Sequence, residues 1–249
     1  MKLKQAIFCS LITVIFILSP FMHASDLKSA QRLMPVPAHL TEGAGELVLP
    51  ANFAVAITGE TTDARLKHAV DRFRTRLGHR TGMQFAEKAG SAEALIIECR
   101  NSGEKVQKLE EEESYRLSVT ETGIKLTAAN PLGVMHGLQT LLQLAQPAPV
   151  GTAVAGKVFR DVTFPVVTIE DAPRFPWRGL LIDVSRHFMP VEVIKRNLDG
   201  MEAVKLNVLH WHLSDDQAFR VESHKFPALA QKASGGQFYT HDQIKDVIA

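Results

Sequence analysis

Cysteine is almost missing from this sequence. Of 249 residues only two are cysteine, and one of them, Cys9, lies in an apolar N-terminal run, which leaves Cys99 alone in the remainder. A single thiol forms no internal disulfide, so a small cystine-stapled domain is excluded and Cys99 reads as a buried strand residue. An excess of either charge is also lacking: 28 Lys and Arg against 27 Asp and Glu give a net charge of +1, so no nucleic acid partner is expected. Long apolar runs are the third shortage. The longest, AIFCSLITVIFIL at 6–18, is shorter than the roughly 20 residues of a membrane-spanning helix. With Lys2 and Lys4 before it and Met22-His23-Ala24 after it, this run has the layout of a signal peptide over 1–24. The mature chain is then expected to be exported, periplasmic or secreted, with no stable membrane span; an uncleaved anchor is the alternative reading.

What is present suits a folded core, since 45% of the residues are hydrophobic. After a linker at 25–30, short apolar runs at 47–49 and 53–57 predict strands. Leu66, Ala69, Val70, Phe73 and Leu77 recur at helical spacing, with Asp63 as N-cap and Gly78 as the stop. The arginines opposite them, among them Arg72 and Arg76, are expected to face solvent. A strand at 94–99, an exposed acidic loop at 110–113 and a hairpin formed by 115–119 and 124–128 follow. PLGVMHGLQTLLQL at 131–144 predicts a helix ended by Gln146-Pro147-Ala148-Pro149, with His136 as a core or capping residue. Together these make an α+β domain over 25–165.

The pattern then changes. GLLIDV at 179–184 is nearly unbroken and reads as a strand covered on both faces, followed by a helix at 191–205 and a second strand at 207–213. Strand, helix and strand form a βαβ unit, the repeat of a doubly wound sheet or of a barrel. Thr240 and Gln243 form a capping-box pattern that opens a further helix over 242–248. The fold expected is an α+β N-terminal domain followed by the first units of a (β/α)8 TIM barrel over 166–249. A barrel needs about 250 residues of its own, so the sequence reads as the truncated N-terminal part of a longer protein.

In parallel sheets, chemistry gathers at the carboxyl ends of strands. One such end carries Asp183, Ser185, Arg186 and His187, and the other carries His210, His212, Asp215 and Asp216. Two readings stand. His210 and His212 share a strand face, and with Asp215 they could hold zinc or iron. Alternatively, the fork of Arg186 and the acceptors of Asp215 and Asp216 suit the hydroxyl pairs of a sugar.

The segment PRFPWRGLLIDVSRHFMPVEVIKRNLDGMEAVKLNVLHWHLSDDQAFRVESHKFPAL (173–229) closely resembles the start of the catalytic barrel of family 20 glycoside hydrolases, the β-N-acetylhexosaminidases. The PVPAHLTEGAGELVL opening and the NPLGVMHGLQTLLQL helix are similar to the α+β domain before that barrel. The resemblance implies retaining, substrate-assisted release of terminal N-acetylhexosamine, a glycan partner, no metal and no cofactor. It assigns Arg186 to grip the sugar hydroxyls and Asp215 to orient a relay histidine outside this sequence. Arg178 is implied as an internal ion-pair anchor and His212 as a hydrogen-bonding support; Asp183 and His187 read as structural. The Asp-Glu catalytic block the family implies is not among these residues, so the chain alone is expected to be inactive. A non-catalytic carbohydrate-binding protein and a metal-dependent barrel hydrolase remain as alternatives.

Overall fold

A computed structural model describes residues 32–59, 62–83, 93–154 and 157–248. The expected signal peptide and linker lie outside the described residues. Within them no helix is long and apolar enough to cross a membrane.

The first part is a mixed sheet with two helices. Its elements are β1 (His39–Leu49), β2 (Ala54–Gly59), α1 (Ala64–Thr81), β3 (Glu93–Cys99), β4 (Tyr115–Thr120), β5 (Gly123–Ala128), α2 (Pro131–Leu144), β6 (Gln146–Val154) and β7 (Lys157–Asp171). The strand order is β1-β7-β4-β5-β3-β2, with β6 also paired to β7. The β4–β5 hairpin follows from alternation: Tyr115, Leu117 and Val119 are buried on one strand and Ile124, Leu126 and Ala128 on the other. Leu66, Phe73 and Leu77 of α1 and Val134, Leu138 and Leu141 of α2 join these residues in one buried cluster.

Three local expectations change. Gly78 does not stop α1; the helix runs to Thr81 and ends where Gly82, at φ 74°, donates its N–H to the Gly78 carbonyl at 2.8 Å. Residues 146–149 end α2 but continue as β6, where Pro147 pairs with Val162 of β7 and is tolerated because β6 has no second neighbour among the described residues. The sheet also extends past 165: β7 stays paired with β4 as far as Asp171.

The second part contains β8 (Gly179–Asp183), α3 (Val191–Ala203), β9 (Val208–His212), the short β10 (Ser214–Asp215) and β11 (Ala218–Phe219), α4 (Pro227–Ala233) and α5 (His241–Ile248). β8 and β9 are parallel, in register from Gly179↔Val208 to Asp183↔His212. Their covered face, with Ile182 and Trp211, packs with Val191, Ile194 and Tyr239. The other face is not covered as expected, for Leu181 is 57% exposed. The capping box of α5 forms in both directions: Gln243 N donates to Thr240 Oγ1 at 3.2 Å and Thr240 N to Gln243 Oε1 at 2.9 Å.

Polar contacts join the two parts. Arg76 bonds Asp199 at 2.7 Å and Glu202 at 2.6 Å on α3, so this arginine docks on the second part instead of facing solvent, while Lys67 and Arg72 on the same helix stay exposed.

Candidate functional site

Asp183 closes β8, and its carboxylate folds the following turn. Asp183 Oδ1 accepts from the backbone N–H groups of Ser185 at 3.0 Å and Arg186 at 3.1 Å, while Oδ2 accepts from Arg186 Nη1 at 2.8 Å. The same Nη1 lies 2.7 Å from Asp215 Oδ2, which reaches it from β10 just beyond β9. Two neighbouring parallel strands thus deliver an arginine and two carboxylates to one mouth. Arg186 is half exposed, and its Nε and Nη2 make no hydrogen bond to any of the described residues, which leaves donors for an incoming ligand.

His212 extends this cluster. Its Nε2 lies 2.9 Å from Asp215 Oδ2, and its Nδ1 lies 3.4 Å from His210 Nε2. The bond to His212 foremost, then the Asp216 N–H and the Arg186 charge, hold the Asp215 carboxyl below its ordinary value. Asp183 is lowered too, chiefly by Arg186. An ionised Asp215 only accepts, so His212 Nε2 carries the proton that it donates there. Because His212 offers opposite ring nitrogens to His210 and Asp215, the three ligand atoms form a chain rather than converging on a point. That geometry disfavours the His210–His212 metal reading. Asp216 and His187 are exposed beside this mouth.

Arg178 lies at the other end of β8. Its Nε donates to the Lys205 carbonyl at 2.8 Å and Nη1 to the Phe175 carbonyl at 2.8 Å, while Nη2 pairs with Glu113 Oε2. His136 Nε2 is 2.6 Å from the same Glu113 oxygen. Arg178 therefore joins the sheet to the βαβ unit and does not face the mouth of Arg186. Nearby, Lys205 Nζ bonds Asp171 Oδ2 at 2.7 Å and Tyr115 Oη at 2.8 Å. A cavity of about 660 Å³ adjoins these groups between the two parts, away from Arg186 and Asp215.

Sequence reasoning missed Glu113, Lys205 and Arg220. Glu113 is 3% exposed, although it closes the acidic run expected in solvent. A signal existed: the alternation Val119, Leu117, Tyr115, stepped back by two, lands on Glu113. Arg220 is buried and donates to four carbonyls, those of Val184 (2.9 Å), Ser185 (3.0 Å), Ser234 (3.1 Å) and Gln237 (2.9 Å), fixing the turn that carries Arg186.

An arginine fork opposed by carboxylates at the carboxyl ends of parallel strands defines a β/α protein with a mouth suited to a small polyhydroxylated ligand. Residues 30–172 match the model for glycosyl hydrolase family 20, domain 2, and residues 175–249 match that for the catalytic domain of the same family. The chain belongs to glycosyl hydrolase family 20, a family of glycosidases. It is 32% identical over 225 residues to a β-hexosaminidase of Porphyromonas gingivalis, covering 87% of this chain and 28% of that protein. Among solved structures, a Flavobacterium johnsoniae chitobiase is 41% identical with a TM-score of 0.76, over 89% of this chain and 33% of the other. An exo-β-N-acetylglucosaminidase of Vibrio harveyi in complex with N-acetylglucosamine is 28% identical with a TM-score of 0.69, over 92% and 36%. The chain spans about a third of the length of these relatives.

Proposed function

We propose that this chain supplies the sugar-gripping start of a catalytic (β/α)8 barrel in an exported β-N-acetylhexosaminidase. The parent enzyme releases terminal non-reducing N-acetylhexosamine from oligosaccharides or glycans with retention, the substrate's own acetamido oxygen attacking the anomeric carbon. The observation that carries this reading is the 2.7 Å approach of Arg186 to Asp215 at a shared strand-end mouth. In it Arg186 donates to ring hydroxyls through its free fork nitrogens, and Asp215 orients a relay histidine supplied from outside these residues. His212 and Asp183 hold Asp215 and Arg186 in place, and Arg178 ties the βαβ unit to the sheet. The 249 residues alone are inactive in this reading, because no Gly-Gly-Asp-Glu-like block occurs in them.

The test is Arg186→Ala in the whole enzyme, assayed on an aryl N-acetyl-β-glucosaminide. Losing charge-assisted bonds to the sugar is expected to lower kcat/KM roughly a hundredfold. An unchanged kcat/KM rejects the role of Arg186. Activity abolished by a chelator favours instead a metal-dependent hydrolase, and sugar binding without turnover by the whole protein favours a binding module.

A further inference from the structure

A second cluster of side chains shares no residue with the mouth of Arg186 and Asp215. After β11, Val221 forms an isolated parallel bridge with Tyr239. Glu222 N donates to the Tyr239 carbonyl at 2.9 Å, and Tyr239 N to the Arg220 carbonyl at 2.8 Å. These bonds set the backbone of Glu222 beside the start of α5. Glu222 Oε2 accepts from His241 N at 2.8 Å, which fixes the carboxylate. Its Oε1 then lies 3.4 Å from His224 Nε2, and its Oε2 lies 4.0 Å from His241 Nδ1. The two imidazole rings are 4.6 Å apart between centroids.

We propose that Glu222, His224 and His241 bind a divalent transition-metal cation of the zinc type, clamping the segment after β11 to the start of α5. One ligand atom from each residue lies within 4.8 Å of the other two. A tetrahedral zinc ion with bonds near 2.0–2.1 Å places its ligand atoms about 3.3 Å apart. Small side-chain rotations close the remaining gap, and they are available because His224 and His241 are 75% and 46% exposed. Two imidazoles and one carboxylate are the donor set of zinc rather than of calcium or magnesium, and they leave a fourth position for water. Among the described residues no lysine or arginine pairs with the Glu222 carboxylate. The Lys225 ammonium sits over the Phe226 ring at 5.5 Å, and Arg220 is directed to its four carbonyls. Beside the Thr240–Gln243 capping box, Glu222 Oε2 adds an acceptor for the His241 N–H, and the two imidazoles gathered around this carboxylate are surplus to that role.

The experiment is calorimetric titration of the untagged whole enzyme with Zn²⁺, repeated on His224→Ala, His241→Ala and, as a control at the other histidine pair, His210→Ala. The expected result is one saturable site per chain, weakened at least about tenfold in each of the first two variants and unchanged in the third. Both substituted rings are exposed, and circular dichroism verifies that the variants remain folded. Absence of saturable binding by the unmodified chain overturns the proposal. So does binding that survives both His224→Ala and His241→Ala, or that is lost only in His210→Ala.

Discussion

The Glu113 carboxylate, 2% exposed at its side chain, faces Arg178 and His136 at once. Burial alone raises its pKa, but the bonds from His136 and Arg178 outweigh that and hold the group below its ordinary value of 4.5. A carboxyl whose folded pKa is depressed adds stability in full above its unfolded value and loses it as pH falls through the folded one. Glu113→Gln is therefore expected to cost about 3 kcal/mol at neutral pH, where it leaves Arg178 without its partner. The difference between the two proteins shrinks as pH drops below about 4.5, where protonation does to Glu113 what the substitution does. Urea midpoints across that range check it, and a pH-independent difference contradicts it. At this scale the sequence was legible where a residue sits at a strand end: Arg186 and Asp215, widely separated in sequence, meet as strand polarity leads one to expect. It was opaque at Lys205, whose burial depends on contacts with the sheet that no local pattern announces, whereas Glu113 was readable from the β4 alternation carried back by two.

Helix α2 crosses the β4–β5 hairpin closely because two of its residues lack side chains. A Cβ on Gly133 would stand 2.3 Å from the Ser114 carbonyl oxygen, while one on Gly137 would stand 2.2 Å from Leu126 Cδ1. Alanine is favoured over glycine in an exposed helix by about 1 kcal/mol, so propensity alone predicts that either substitution stabilises. Overpacking costs typically about 1–3 kcal/mol and wins here. Gly133→Ala is expected to lose about 2 kcal/mol, because its obstacle is backbone. Gly137→Ala is expected to lose less, because the Leu126 side chain can turn. Equal denaturant midpoints for Gly133→Ala and the unmodified protein would sink this account. Helical periodicity made α1, α2 and α3 readable, and the Thr240–Gln243 pair marked the start of α5. The ends were harder: Gly78 and Gly82 are identical letters, and only the left-handed backbone of the second shows which one stops α1. β6 was hidden because its two prolines argue for a turn, and pairing with β7 alone among the described residues makes them tolerable in a strand.

At the scale of the whole molecule, the described residues form two cores of unequal size, a large one on the sheet and a small one around Ile194 and Tyr239, joined through buried charge. The central link is Lys205, whose side chain is 8% exposed and whose ammonium bridges Asp171 and Tyr115 across the boundary. Burial raises the Asp171 carboxyl, but its bond to Lys205 and the charge of that ammonium outweigh this and hold it below its ordinary value, while burial pulls the Lys205 ammonium below its own ordinary value against the pull of that same bond. Removing one partner of a buried pair costs about 3–5 kcal/mol because the other charge is left uncompensated. Stability is not uniform across such a structure, and the smaller core, with Leu181 open to solvent, is expected to open by itself before the sheet does. Lys205→Ala should therefore raise amide hydrogen-exchange rates in β8 and β9 by about a hundredfold or more, while β4 and β5 change far less. Exchange that accelerates equally in all four strands would mean the two cores unfold as one unit, and the linkage through Lys205 would then be part of global stability rather than a latch between them.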